Sequence, residues 1–232
     1  MIYQNNCEPV VDLQNVSKDY GFNLNKCSAL SNVDFSASKG ELALLLGPSG
    51  SGKTTLLTIT AGFTKPTIGN IILFGKNLNK YSPGELQQLR AEKISFIFQT
   101  FLLIDSLNVY ENVELVIRFS KKYHENIRQK TIEAMDKANI SHVAKKRPFE
   151  LSHGEKQRAA IARAFANDAD LLIADEPTAS LETIQGKQII NLLHSYADEL
   201  NKCVIVASHD LRLKTFADKI YNIENGRIIM RE

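Results

Sequence analysis

The stretch "GPSGSGKTT", Gly47 to Thr55, decides how this chain is read. It satisfies G-x-x-x-x-G-K-[ST], and it does so in the context the motif requires. The apolar run "ELALLL" (Glu41 to Leu46) precedes it and the helical pattern "TTLLTITAG" follows. Strand, glycine-rich loop and helix in that order make a phosphate cradle. The glycines let successive backbone N–H groups turn toward one anion, and the helix N-terminus adds partial positive charge. In such a loop Lys53 is expected to reach the β- and γ-phosphates of a nucleotide, and the Thr54 hydroxyl to bind Mg²⁺.

Two further apolar runs resemble the one before the loop. These are "LLIAD" (Leu171 to Asp175) and "CVIVAS" (Cys203 to Ser208). Strands apolar on both faces belong in a parallel sheet covered by helices, and such sheets bind ligands beyond the carboxyl ends of their strands. The first of these runs ends in Asp175 and Glu176, with Pro177 stopping the strand. Asp175 suits a magnesium-holding role through the water shell of the ion. Glu176 is placed to orient or deprotonate an attacking water. His209 stands just past the second run, where a neutral imidazole can bridge phosphate and water.

Ahead of these runs, "VVDLQNV" (Val10 to Val16), "NVDFS" (Asn32 to Ser36) and "IILF" (Ile71 to Phe74) predict a meander of short strands separated by glycine- and asparagine-rich turns. The segment "QIINLLHSYADEL" (Gln188 to Leu200) sets Ile189, Leu192, Leu193 and Tyr196 on one helical face and leaves His194 off it, at the surface. Residues from about Leu102 to Phe165 read as mostly helical, broken at Pro148. The expected fold class is α/β, a mixed nucleotide-binding core with an inserted helical part.

A net charge of +2 over 232 residues gives no case for nucleic acid or an anionic membrane surface as partner. The basic clusters Lys121 to His124 and Lys145 to Arg147 read as solvated faces. Cys7, Cys27 and Cys203 are three scattered residues without a CxxC, which supports neither a disulfide framework nor a zinc site. There is no signal-peptide pattern at the N-terminus, and no apolar run approaches the ~18 residues of a membrane span. The expectation is a soluble protein of a reducing compartment, most simply the cytoplasm.

The stretch "LSHGEKQRAAIARAF" (Leu151 to Phe165) admits two readings. Its His153 and Glu155 beside Gly154 suggest a catalytic pair or part of a metal site. Equally, Ser152 and Glu155 form S-x-x-E, a capping box before a helix carrying Ile161 and Phe165 on one face. No second ligand to His153 lies nearby in sequence, so the cap and a helix end suited to a phosphate are preferred.

Taken in order, "GPSGSGKTT", "FQ" (Phe98–Gln99), "LSHGEKQR", "LLIADEPT" and "SHD" resemble the motifs of an ABC-transporter ATPase subunit, from about Val10 to Ile229. The resemblance implies a P-loop NTPase (RecA-like) core with an N-terminal antiparallel β sub-domain and an inserted α-helical sub-domain. The whole chain, 1–232, is then one nucleotide-binding domain, with residues of about 1–99 and 166–232 as core and about 100–165 as helical sub-domain. The substrate implied is ATP with Mg²⁺. Gly47, Pro48, Ser49, Gly50, Ser51, Gly52, Lys53, Thr54 and Thr55 would bind ATP, with Tyr20 of "VSKDYG" stacking on adenine. Glu176, His209, Gln99 and Lys53 would be catalytic, and Thr54, Gln99 and Asp175 would hold the metal. Ser152, His153, Gly154 and Glu155 would form the signature motif, offered to the ATP of a second copy in a head-to-tail homodimer.

Within that family, "ELQQLRAEKISFIFQTFLLIDSLNVYENVEL" and "SHDLRLKTFADKIYNIENGRI" resemble the lipoprotein-releasing, macrolide-efflux and glycolipid-export ATPases. This implies a peripheral subunit on the cytoplasmic face of the inner or plasma membrane. It would be partnered by an integral-membrane permease working by mechanotransmission, with a periplasmic adaptor in some systems. The apolar run Phe101 to Ile104 reads equally as core packing or as a receiver for that partner's coupling helix. Two departures from the family pattern stand out: Glu182 where the D-loop commonly has aspartate, and His153 where the signature commonly has glycine. A regulatory scaffold gating an extracytoplasmic enzyme would carry the same motifs. A soluble ABC protein acting on nucleic acid or ribosomes is disfavoured, because the chain has neither a second cassette nor a long coiled-coil insertion.

Overall fold

The computed structural model describes residues 8–21, 27–120, 125–179, 181 and 183–231. The basic cluster Lys121 to His124, Cys7 and Glu182 lie outside the described residues. The chain builds two sheets. The strands β1 (Val11–Tyr20), β2 (Cys27–Ala37), β4 (Ile68–Leu73) and β5 (Lys76–Asn77) form an antiparallel sheet in the order β2-β1-β4-β5. The second sheet joins β3 (Leu42–Leu46), β6 (Ile94–Ile97), β7 (Leu171–Asp175), β8 (Cys203–Ser208), β9 (Lys219–Glu224) and β10 (Arg227–Arg231), ordered β10-β9-β3-β8-β7-β6. All its pairings are parallel except the terminal β9–β10 hairpin.

The three apolar runs become the adjacent strands β3, β8 and β7, and every residue of them is buried. Their alternate residues face two different cores. Leu42, Leu44, Leu46, Leu172, Ala174, Val204 and Val206 pack among helices, whereas Ala43, Leu45, Ile173, Ile205 and Ala207 face the antiparallel sheet and α1 (Lys53–Thr60). A strand covered on both sides has no polar face, which is why these runs lack alternation. The helical core holds α3 (Val109–Phe119), α4 (Ile127–Lys137), α5 (His153–Ala166) and α6 (Thr183–Asp198). Helix α2 (Pro83–Lys93) runs directly into β6.

The N-terminal strands differ from a meander of short strands. β1 and β2 run for 10 and 11 residues and continue through Asn15 and Asn32. Both asparagines take left-handed backbone angles, φ 53° and 51°, Asn15 where the pairing shifts register between Leu13 and Val16 and Asn32 opposite the shift between Val16 and Lys18. Asparagine tolerates that region, so what looks like a turn in sequence is a bulge within a longer strand. The strand order differs too, because the doubly apolar β3 leaves for the other sheet before β4 returns to pair with β1.

Helix α6 begins earlier than its apolar stripe suggested and buries Ile189, Ile190, Leu193, Tyr196 and Ala197, with Leu192 half-buried. His194 is also half-buried, 4.0 Å from the Asp218 carboxylate. The basic residues Lys145, Lys146 and Arg147 are exposed.

Candidate functional site

The loop between β3 and α1 takes its shape from two glycines. Gly50 and Gly52 have φ of 78° and 106°. At Gly52 a Cβ would lie 2.6 Å from the Ala29 carbonyl oxygen, so this position is closed to any side chain. The loop then turns into α1, whose first residue is Lys53. Its side chain is almost wholly buried and folds back over the loop, where Nζ donates to the carbonyls of Gly47 (2.7 Å) and Pro48 (2.9 Å). The loop thus encloses its own cation.

The ends of β7 and β8 bring the carboxylates to that cation. Parallel pairing sets Asp175 beside Ala207. Glu176 adopts φ 49° and donates its N–H to the Ala207 carbonyl, 2.9 Å away, which turns its side chain off the strand end. Its carboxylate lies 3.4 Å from Lys53 Nζ, accepts from the Ser208 hydroxyl at 3.3 Å, and meets His209 Nδ1 at 3.0 Å. The Thr54 hydroxyl donates to Asp175 Oδ2 at 2.7 Å, while Oδ1 is buried without a hydrogen bond from the protein. Burial raises the Asp175 carboxyl above its ordinary value; the Thr54 hydrogen bond opposes this and the Glu176 charge adds to it.

These groups border a cleft of about 340 Å³ lined by Ser49, Gly50, Gly52, Lys53, Thr54, Thr55, Gln99, Asp175, Glu176 and His209. Ten of the residues singled out from sequence therefore meet in one place. Gly47, Pro48 and Ser51 belong to the loop without lining the cleft. Tyr20 does not line it either. It ends β1 opposite Cys27, whose neighbours Ser28 and Ala29 line the cleft with it, and it is 44% exposed, with the Lys18 ammonium 4.9 Å from its ring centre. Ser208 and the Cys27–Ala29 edge were not anticipated. Both follow from strand register, which a single sequence does not state.

The comparisons with known proteins agree with this geometry. A family model described as "ABC transporter" matches residues 30–179. The uncharacterized ABC transporter ATP-binding protein MJ0796 of Methanocaldococcus jannaschii is 37% identical, the match covering 96% of this chain and 97% of that one. This chain belongs to the ABC transporter family. The lipoprotein-releasing system ATP-binding protein LolD of Buchnera aphidicola subsp. Schizaphis graminum is 36% identical over 92% of this chain and 93% of its own length. A solved dimeric structure of the MJ0796 cassette, in a post-hydrolysis state bound to ADP and Pi, superposes with a TM-score of 0.90 at 36% identity, covering 96% of this chain and 97% of that one. The chain is accordingly an ATP-binding cassette of the LolD-like group and an ATPase. Among the described residues no helix is long and apolar enough to cross a membrane.

Ser152 to Glu155, expected from the sequence to form the signature motif, do not line the chain's own cleft. They sit at the start of α5, where the Ser152 Oγ accepts from the Glu155 N–H (3.3 Å) and the Glu155 carboxylate accepts from the Ser152 N–H (2.7 Å). That capping box holds the Glu155 carboxyl below its ordinary value, chiefly through the Ser152 backbone N–H. Glu155 is thus engaged in ending the helix. His153 is exposed, and its ring packs edge-on against Phe101, centroids 4.8 Å apart at 78°. Among the described residues no three His, Cys, Asp or Glu side chains gather in a group that could hold a metal; beside Glu155 stands His142, its Nε2 3.8 Å from the carboxylate. In the run after Gln99, Leu103 packs on the helical core, whereas Leu102 and Ile104 are exposed.

Proposed function

We propose that two copies of this cassette pair head-to-tail around ATP, each cleft receiving the Ser152–Gly154 helix end of the other copy. The pair drives a separate integral-membrane subunit on the cytoplasmic face of the membrane. What supports this is that Lys53, Asp175, Glu176 and His209 converge from three strand ends on one cleft, while the signature residues of the same chain point elsewhere. A site with its cis half built and its trans half displayed on another face is completed only by a second copy. The helical segment of about residues 100–165 carries that displayed half.

ATP enters a loop already organised around a cation. Lys53 exchanges the Gly47 and Pro48 carbonyls for the phosphate oxygens, and the loop N–H groups and the start of α1 answer the remaining charge. Tyr20 offers its exposed ring to the adenine from the end of the β1–β2 hairpin. The donors around Thr54 suit Mg²⁺: a hydroxyl, the Gln99 amide oxygen and an Asp175 carboxylate with one buried oxygen unanswered, all hard oxygen ligands. When bound, the ion neutralises charge developing on the phosphates.

Glu176 takes the proton of the attacking water. Ser208 and His209 fix its carboxylate, and His209 senses the γ-phosphate through the same contact. Gln99 borders both this cleft and the neighbouring groove of about 690 Å³ toward Thr178 and Leu181, the side from which a partner cassette approaches. The D-loop residue Glu182 lies outside the described residues.

The reaction is phosphoryl transfer to water, in which positioning and charge stabilisation supply most of the rate. Glu176→Gln is expected to bind ATP, accumulate as dimer in size-exclusion chromatography, and turn over at least about a hundredfold more slowly. Undiminished steady-state hydrolysis would remove Glu176 from this role. For the cargo-bearing partner, the LolD relative, named for lipoprotein release, favours an export-type permease. Affinity purification from native membranes tests that: a membrane subunit with a large extracytoplasmic domain supports it, and a regulator of an extracytoplasmic hydrolase points instead to a scaffold.

A further inference from the structure

We propose that His153 is a positioning residue that ties the displayed end of α5 to the Gln99 segment of its own chain. The contact offered to a partner's nucleotide then depends on the state of the chain's own cleft. The inference rests on the composite-site reading above and adds a residue to it.

Helix α5 grips the segment after β6 at two points. Near its C-terminal end, the Arg163 guanidinium donates to the carbonyls of Phe101 (2.7 Å) and Leu102 (2.5 Å). At its first residue, the His153 ring meets the Phe101 ring edge-on. His153 and Arg163 stand ten positions apart on the helix, a rise of about 15 Å between their backbones. The side chains of both reach Phe101, Arg163 at its carbonyl and His153 at its ring. Phe101 and Leu102 also have left-handed backbone angles, φ 61° and 47°. Bulky residues hold such angles only where their surroundings over-determine them. Here Arg163 does so from the carbonyl side and His153 from the ring side.

The segment so held begins at Gln99, which lines the nucleotide cleft two residues before Phe101. A shift of Gln99 on nucleotide binding is therefore carried through Phe101 to both ends of α5, including the turn of Ser152 and Gly154. A glycine at 153, the commoner residue in this motif, leaves Arg163 as the remaining grip. The same geometry argues against the histidine acting on the partner's phosphate, because its ring is taken up within its own chain.

The test is a double-mutant cycle on the full chain, reading the ATP dependence of steady-state hydrolysis. H153G and F101A are each expected to raise the half-saturating ATP concentration about threefold, the order of effect of one aromatic edge contact, and to flatten its sigmoid dependence. The double variant is expected to be no worse than either single one, because both remove the same contact. H153F keeps the edge contact and is expected to recover most of the half-saturating ATP concentration that H153G loses. Fluorescent-nucleotide binding to dilute F101A monomer checks that its cleft is intact, and F101L serves where F101A does not fold. Effects that multiply to roughly ninefold in the double variant overturn the proposal. So does an H153F that behaves like H153G, which indicates a direct polar contact by the histidine. A wild type whose activity per chain is independent of protein concentration overturns both the composite site and this inference. A concentration-dependent wild type with an additive cycle overturns the inference alone.

Discussion

Lys53→Met makes the poised state of the cleft measurable. Lys53 and Glu176 are both more than nine-tenths buried and lie 3.4 Å apart. The variant keeps the bulk of the side chain and removes the charge. It leaves the Glu176 carboxylate buried beside a hydroxyl and an imidazole, and strips the Gly47 and Pro48 carbonyls of their donor. Breaking a buried pair from one side costs about 3–5 kcal/mol, because the surviving charge is unanswered. Ser208 and His209 still serve Glu176, and the lysine no longer has to be desolvated, so a net loss of about 2–3 kcal/mol is expected. For a chain of this length each kcal/mol moves Tm by roughly 2–4 °C, giving a drop of about 4–12 °C by scanning calorimetry without nucleotide. The double variant Lys53→Met/Glu176→Gln removes the stranded charge and is expected to recover about half the loss or more. ATP raises the Tm of the wild type through linkage but not that of Lys53→Met. A single variant melting within about 2 °C of wild type, or a double variant melting lower than the single, would refute the reasoning.

Two further outcomes follow from the same loop and its carboxylates. Gly52→Ala and Gly50→Ala both force alanine into a left-handed angle, a strain of about 1 kcal/mol, but only at Gly52 does the new Cβ meet backbone, 2.6 Å from the Ala29 carbonyl oxygen. Gly52→Ala is expected to lose at least about 2 kcal/mol more stability in urea titration than Gly50→Ala; equal losses would mean that the β2 edge yields freely. The Asp175 carboxyl is raised in the folded protein, so over the window between its ordinary and its raised value the folded state binds more protons than the unfolded one. Stability from this group therefore rises as pH falls through that window and is lost as pH rises through the folded value. The Tm difference between wild type and Asp175→Asn, measured without magnesium, is expected to shift in favour of wild type on acidification across it. A flat difference would show that burial does not perturb the group.

Much of the cleft was legible in the sequence because its residues sit at the ends of strands whose two-sided burial is written as unbroken apolar runs. Phosphate loop, carboxylates and histidine each follow such a run directly, and a parallel sheet brings those ends together. What was not legible depends on register and on backbone angles. The bulges at Asn15 and Asn32 hid the length of β1 and β2, and so the edge of the cleft from Cys27 to Ala29. Ser208 looked like the last polar residue of a strand, and only the pairing of β7 with β8 sets its hydroxyl on Glu176. The start of helix α2 is written plainly in the sequence. Ser82, Pro83 and Glu85 spell a capping box with proline at the first turn, and both of its hydrogen bonds form. The left-handed pair Phe101 and Leu102 had no signal, since neither residue type favours that angle and the cause, Arg163, lies 61 residues on from Leu102.

On the composite-site proposal, one chain lines its cleft with half of the site and offers the other half to a second copy, and the same physics gives a reason. A phosphate must be met by many donors at once, and a parallel sheet can gather only those at its own strand ends. The remaining donors need a second helix N-terminus, and α5 cannot supply it in cis, because Phe165, Ala162 and Ile161 commit its body to the helical core. Its first turn is held instead by the Ser152–Glu155 cap, with Ser152 and His153 exposed and Gly154 half-exposed beside Gln185. A cap that satisfies the Glu155 N–H with the Ser152 hydroxyl leaves the other early N–H groups of the helix to answer an incoming anion. Ordering that turn before a ligand arrives lowers the entropic cost of the encounter. On this argument Glu155 contributes by pre-organisation rather than by touching the nucleotide. Glu155→Gln, which keeps an acceptor for the Ser152 N–H, should therefore disturb the site far less than Glu155→Ala.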